Sequence, residues 1–374
     1  MSTFTRTDTS VVGRWWWTVD RWTLLAICLL LAIGALLNLA ASPAVAERIG
    51  LDGSHFALRH FVFLLPAVAV MFVCSLLPLR DTRRIAVVGL FVAMALMLFT
   101  LLIGPEVKGA TRWLHLGGMS LQPSEFAKPF FIVTAAWLFS VRHDDNSVPA
   151  TMACCLLFAV ILGMLITQPD FGMAAVFTVV WFAQFFFAGL SLAWVFGFVV
   201  LAIGGALLAY AMIPHVTSRI DRFLDPASGD SYQIDRAMEA FTRGGLAGRG
   251  PGEGRVKAVL PDAHTDFVFS VAGEEFGLIA CLLIVALFAF IVLRGFSRLL
   301  RENDLFVLLA ASGLLVLFGL QAIINMGVNL NLLPTKGMTL PFISYGGSSL
   351  LATAIGMGML LGLTRRRAGA GEAA

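Results

Sequence analysis

Asp266 closes the tripeptide His264-Thr265-Asp266 and opens one of the most apolar stretches of the chain, FVFSVAGEEFG from Phe267 to Gly277. A carboxylate in that place can do two kinds of work. As a short acidic residue before a helix it can cap the orphan amides of the first turn. Above an apolar floor of Phe267, Val268 and Phe269 it can instead serve as a general base, since desolvation raises its pKa and a substrate hydroxyl can come within hydrogen-bond reach. The two roles are compatible. Asp266, Ser270 and Glu274 recur at i, i+4 and i+8 on one broad helical face. Glu274 and Glu275 are read as carboxylates that shape the polar cavity below Asp266, paired with arginines of neighbouring loops or helices.

A second cluster reads QPSEFAK, residues 122–128. Pro123 suits the first position of a helix, and Glu125 its positively polarised first turn. Lys128 lies one turn on, so the plain expectation is an i, i+3 ion pair with Glu125. The sharper one is an anion site, with Lys128 and Arg112 holding a phosphate at the membrane edge. Trp113 is either an interfacial anchor or a stacking face for a sugar ring. TQPDFG, residues 167–172, repeats the design: Pro169 at a helix start and Asp170 in its first turn, with Gln168 before them, a structural set. The run GGLAGRGPGEGR, residues 244–255, lacks the Gly-Lys-Ser/Thr ending of a nucleotide loop and reads as a surface loop or a flap over a pyrophosphate. LPTKGMTLPFISYGGSS, residues 333–349, puts Pro341 and a Gly-Gly-Ser-Ser set where helix regularity must fail. Irregular backbone at membrane depth needs a cover of protein or a wet cavity. Ser344 in this segment and His264 beside Asp266 are counted among the substrate-facing residues.

The elements that must position these groups follow from composition. Of 374 residues, 59% are hydrophobic and 13% charged. Soluble domains hold about 45–50% apolar and about 25% charged residues, so the chain is an integral membrane protein. A net charge of +3 gives no support to a nucleic-acid partner. Its five cysteines fall inside apolar runs, with no disulfide framework or metal-ligand spacing. Ten apolar segments are long enough to cross a bilayer, near 22–41, 61–79, 85–103, 125–140, 148–167, 171–188, 191–213, 267–293, 304–328 and 341–363. The fold class is therefore an all-α polytopic bundle, with a long loop between the seventh and eighth spans.

An even span count places both ends on one side. With that side inside, thirteen of the 26 Lys and Arg lie inside, and seven of the other thirteen crowd into the single loop 214–266. Setting that long loop aside leaves an inner excess, which favours inner termini. Three parts follow: a segment 1–21, a membrane domain 22–363 whose outer loops 104–124 and 214–266 contribute to the active site, and a tail 364–374. The apolar run before Ala44-Val45-Ala46 exceeds a signal peptide's length, so it reads as an uncleaved first helix.

Four stretches, KGATRWLHLGGMSLQPSEFAK, ITQPDFG, LPDAHTDFVFSVAGEEFG and LPTKGMTLPFISYGGSS, occur in one order along the chain. Together they resemble the FtsW/RodA/SpoVE (SEDS) family, with wording nearer the FtsW branch. The resemblance implies a ten-helix protein of the bacterial inner membrane, both termini cytoplasmic, at the septum if FtsW-like. It implies a peptidoglycan glycosyltransferase that polymerises lipid II on the outer face, dependent on Asp266, with Trp113 implicated and Glu125 and Lys128 in a polar cavity. A class B penicillin-binding protein and other division-machinery membrane proteins are the implied partners, and Mg²⁺ or Mn²⁺ the implied cofactor. Rival classes are a RodA-like elongation polymerase, a lipid-linked oligosaccharide flippase, and a division scaffold.

Overall fold

The computed structural model describes residues 10–106, 110–116, 119–144, 149–189, 192–225 and 232–366. Lys108 and most of the 364–374 tail lie outside them. A short amphipathic helix, α1 (Val11–Thr18), is capped by Ser10 and pinned by Trp15, whose indole donates to Ser75 Oγ at 2.8 Å. Then follow α2 (Arg21–Arg48), α3 (His55–Leu76), α4 (Leu79–Ile103), a hairpin of β1 (Leu114–Leu116) and β2 (Met119–Leu121), α5 (Pro123–Asp144), α6 (Ala150–Thr167), α7 (Phe171–Phe187) and α8 (Leu192–Met212). The antiparallel register sets Leu114 opposite Leu121. Next come α9 (Pro214–Leu224), α10 (Tyr232–Gly244), a single 3₁₀ turn at Val256–Ala258, α11 (Val268–Leu299), α12 (Leu305–Asn329) and α13 (Gly347–Leu363).

A helix overlaps each of the ten apolar segments. Six of them (α2, α3, α4, α6, α11 and α12) are long and apolar enough to cross a membrane, and three shorter apolar helices join them. Side chains are distributed inside out for water and correctly for lipid. Leu65, Leu102, Met152 and Leu201 are at least 70% exposed, while Asn38, Gln184, Asn329 and Glu274 are at most 1% exposed. Polar groups in such an interior hold helices together by satisfying one another: Gln184 Nε2 donates to the carbonyls of Ile132 and Leu309, at 2.9 and 3.2 Å. Small residues permit the closest helix contact. A side chain at Gly358 of α13 would stand 2.5 Å from the Met71 carbonyl of α3, so that position tolerates only glycine.

Three expectations change. The loop 214–266 carries two amphipathic helices: α9, which no apolar run announces, and α10, which extends the short amphipathic surface turn that QIDRAMEAF, residues 233–241, suggests on its own. The last helix begins at Gly347, not at 341, because Pro341 is followed by Phe342 in the left-handed region (φ 64°), which an ordinary helix cannot contain. The eighth segment breaks at Gly277, whose φ of 76° and ψ of −175° are not helical. That break is closed from outside. Leu278 and Ile279 amides donate to the Gly245 and Leu246 carbonyls, and Arg249 and Gly250 amides to the Glu274 and Glu275 carbonyls. The glycine run 244–250 is thus a strap docked on a broken helix rather than a flap. A Cβ at Gly248 (φ 83°) would meet the Glu275 carbonyl at 2.2 Å.

Candidate functional site

The site forms where four segments meet: the turn before α11, the loop between α12 and α13, the start of α5 and the turn between α6 and α7. Asp266 is half-buried. It is not the cap of α11: the cap position belongs to Phe267, which offers no side-chain bond. The capping bond comes from across the bundle, where Asn329 Oδ1 accepts from the Ser270 amide at 3.1 Å and from Ser270 Oγ at 2.6 Å. The Asp266 main-chain carbonyl accepts from Asn325 Nδ2 at 2.9 Å and Asn329 Nδ2 at 2.8 Å. Its carboxylate faces the α12–α13 loop, where a Cβ on Gly337 would lie 2.9 Å from Oδ2.

That loop is tied to the same turn. Ser344 Oγ donates to the Thr265 carbonyl at 2.5 Å and accepts from the Leu340 amide at 2.8 Å, and the Tyr345 amide donates to the His264 carbonyl at 2.9 Å. His264 is buried, its ring 4.6 Å from that of Phe56 and 5.2 Å from that of Tyr345. Burial pushes its pKa down to about 4, with Asp262 opposing and Arg48 adding to the shift. His264 and Ser344 therefore brace the turn from within; the ring packs on aromatics instead of facing the cleft.

Next to Gly337, Lys336 reaches across to the α7 start, where its ammonium donates to the Gly172 carbonyl. Burial brings its pKa down to about 7; Asp170 and Glu125 pull it back up, while Lys128 and Arg219 press it further down. This lysine was not among the expected site residues. Its signal was the cation in an irregular segment that glycine and proline hold out of the helix. Asp170 is the N-cap of α7, one residue earlier than its expected first-turn place, and accepts from the Met173 amide at 3.2 Å. It also accepts from Gln122 Nε2 at 3.4 Å and lies 3.7 Å from Arg112. Arg112 further donates to the carbonyls of Gln168 and Pro169. Gln168 itself is buried, its amide on the Met97 carbonyl at 3.0 Å. Half-buried Trp113 follows Arg112 at the foot of the hairpin.

Lys128 and Glu125, both buried, form the expected ion pair at 2.8 Å. A small cavity opens beside them, walled by Leu314, Leu317, Phe318 and Met357. Lys128 and Arg112 thus do not share one anion: each is engaged with its own carboxylate, and Lys336 stands between these groups and Asp266. Glu274 and Glu275 do not line the cavity and are not paired with arginines. Glu274 accepts the amides of Arg255 and Val256 at 2.8 and 2.9 Å, and Glu275 is paired with Lys257 at 2.5 Å. Their carboxylates anchor the outer loop. Among the described residues no three His, Cys, Asp or Glu side chains converge on a metal-sized space.

A polytopic helical bundle in which a carboxylate faces a glycine-rich loop, whose neighbouring lysine reaches the start of α7, defines a class of membrane-embedded protein. The chain belongs to the FtsW/RodA/SpoVE family, whose "Cell cycle protein" profile matches residues 21–369. It is 48% identical over 368 residues to a Caulobacter vibrioides protein named probable peptidoglycan glycosyltransferase FtsW, covering 98% of this chain and 94% of that one. A Coxiella burnetii protein of the same name is 37% identical, covering 92% of this chain and 96% of that one. Two solved structures share the fold. One, described as structural coordination of polymerization and crosslinking by a peptidoglycan synthase complex, has TM-score 0.73 and 28% identity over 92% of this chain and 97% of its own. The other, Thermus thermophilus RodA, has TM-score 0.67 and 26% identity over 93% of this chain and 97% of its own.

Proposed function

We propose that this chain is a peptidoglycan glycosyltransferase that polymerises lipid II into glycan strands during septal wall synthesis. It is a multi-pass membrane protein, crossing the bacterial cytoplasmic membrane ten times with both termini inside and the Asp266 mouth outside. The observation that carries the reading is the pairing of roles at that mouth. The Asp266 main-chain carbonyl is fixed by Asn325 and Asn329, its carboxylate faces Gly337, and Lys336 adjoins that glycine in the same loop. Full-length relatives named FtsW support the same activity.

In this mechanism Asp266 accepts the proton of the acceptor sugar's 4-hydroxyl as that oxygen attacks the donor's anomeric carbon. The bond from that carbon to the pyrophosphate oxygen breaks, and undecaprenyl pyrophosphate leaves with the electron pair. Attack from the opposite face turns an α-linkage into a β-linked glycan. The developing charge is met by the Lys336 ammonium, a donor already held by the fold. Trp113 offers an aromatic face to a sugar. A Mg²⁺ or Mn²⁺ ion, if bound, would supply further charge to the leaving pyrophosphate, with phosphate oxygens among its ligands. The transpeptidase partner is a class B penicillin-binding protein; a structural relative described as a synthase complex that couples polymerization to crosslinking supports that pairing.

The test is purified protein with lipid II and its transpeptidase partner, followed by gel analysis of glycan strands. Wild type is expected to make polymer and Asp266→Asn to make none while remaining folded. Polymer at the normal rate from the variant would remove Asp266 as base. Wild type that moves lipid II between leaflets without polymerising it would make the protein a flippase.

A further inference from the structure

We infer that Asn325 and Asn329 of α12 are the positioning residues of the site: they fix the main chain of Asp266 and so aim its carboxylate at the Lys336–Gly337 loop. The inference rests on the glycosyltransferase reading for its kinetic consequence and on geometry for everything else. Two carboxamides one turn apart in the apolar run LQAIINMGVN are costly unless fully bonded, and here they are. Asn325 is 1% exposed and Asn329 0%.

Their bonds converge on one atom. The Asp266 carbonyl takes a bond from each amide, at 2.9 and 2.8 Å, which occupies both of its lone pairs. Asn325 spends its remaining N–H on the Met338 carbonyl at 2.6 Å. One amide group thus spans the turn that carries Asp266 and the loop that carries Gly337. Asn329 turns its oxygen to Ser270 and caps α11 in place of Asp266, and its nitrogen also reaches the Asn325 carbonyl at 2.9 Å. The Cα–Cβ direction of Asp266 is therefore set from α12, some sixty residues away in sequence. An error of about 1 Å in such a group can cost about 10²-fold in rate.

A purely structural role for the pair predicts something different, and isosteric variants separate the two. Asn329→Asp keeps the acceptor for Ser270 but loses the donor to Asp266. Asn325→Asp loses both of its donated bonds. Ser270→Ala weakens the cap without touching the Asp266 carbonyl. Each full-length variant is assayed for turnover and KM with lipid II, for thermal unfolding in detergent, and for the rate at which a water-soluble carbodiimide labels Asp266, read by peptide mass spectrometry.

Asn325→Asp is expected to lower turnover at saturating lipid II about 30-fold and Asn329→Asp about 10-fold, with KM changed less than two-fold. Both should alter the labelling rate of Asp266 at least three-fold. Ser270→Ala should unfold at lower temperature, yet keep turnover per folded molecule and labelling within two-fold of wild type. Turnover that falls only with the folded fraction, or Asn329→Asp and Ser270→Ala behaving alike, would overturn the inference. Unchanged labelling in both Asn variants would also overturn it. Should wild type make no polymer, the glycosyltransferase reading fails, and the labelling rates alone decide whether the two asparagines aim Asp266.

Discussion

Asp20 and Asp266 stand at opposite ends of the bundle, each next to the start of a long helix, and the fold treats them in opposite ways. Asp20 caps α2, accepts from Thr23 at 2.9 Å, and is gripped by Arg294 through two bonds of 2.7 and 2.8 Å, with Arg298 at 3.4 Å. Burial pushes its pKa up, but the bonds from Arg294 and Thr23 and the charge of Arg298 outweigh it and hold the carboxyl below its ordinary value. Its oxygens are spent on capping α2 and on joining α2 to α11. At Asp266 the main-chain carbonyl takes the fixing bonds, and the cap that its side chain would have supplied comes from Asn329. A carboxylate that holds a structure together is saturated by the structure. One that works on a substrate has its backbone fixed by other residues.

The sharpest way to break this comparison is to neutralise both carboxylates. Asp266→Asn is expected to cut glycan synthesis more than 100-fold with a change in thermal midpoint of no more than about 1–2 °C. Asp20→Asn should do the reverse, costing about 2 kcal/mol, less than a fully buried pair because the arginines reach solvent. Its turnover per folded molecule should stay near wild type. A loss of activity in the Asp20 variant beyond its unfolded fraction would erase the distinction. Gly277→Ala comes next. It forces an L-residue to φ 76° and brings its Cβ to 2.4 Å from the Leu246 carbonyl, so a loss of about 2–3 kcal/mol is expected by chemical denaturation. Proteolysis should then cut first in the 244–256 loop.

Lys336→Met should lower kcat/KM about 10-fold and remove a limb of the pH profile. The ammonium carries its charge below about pH 7 and loses it as pH rises through that value. Wild-type kcat/KM should therefore fall on the alkaline side with a midpoint near 7, and the variant should lack that fall. The smallest effect belongs to His264. Its folded pKa of about 4 lies below the ordinary 6.5, so the native state binds fewer protons between those values. Stability from this group is complete above about pH 6.5 and is lost as pH falls toward 4, by up to about 3 kcal/mol. His264→Phe should flatten that part of the acid denaturation curve while leaving turnover at pH 7.5 within a few-fold of wild type.

What the sequence made legible divides along the same line. Hydropathy located apolar segments that helices occupy, because lipid demands long apolar runs. Local rules placed Pro123, Glu125 and Lys128, whose partners lie within one turn of helix. Whatever depends on distant segments stayed hidden. The cap of α11 could not be read because its acceptor is the distant Asn329, and the break at Gly277 looked continuous because the loop that closes it runs from Gly245 to Gly250. Asn325 and Asn329 did leave a trace, two amides one turn apart in an apolar span. Lys336 left a weaker one, since a lysine in a loop has many uses.

The outer loop has a consequence for the order in which the molecule assembles. Glu274 and Glu275 find their partners 17 to 23 residues upstream, so their closure is short-ranged and needs only chain already made when α11 emerges. Asn325 and Asn329 act on Asp266 from 59 and 63 residues downstream. The loop and the first turns of α11 should fold as one early unit, whereas the aim of Asp266 is set only when α12 has been inserted. Pulse-labelled hydrogen exchange during synthesis would find the Arg255 and Val256 amides protected before that of Ser270. The growing chain therefore completes its frame before it arms its acid.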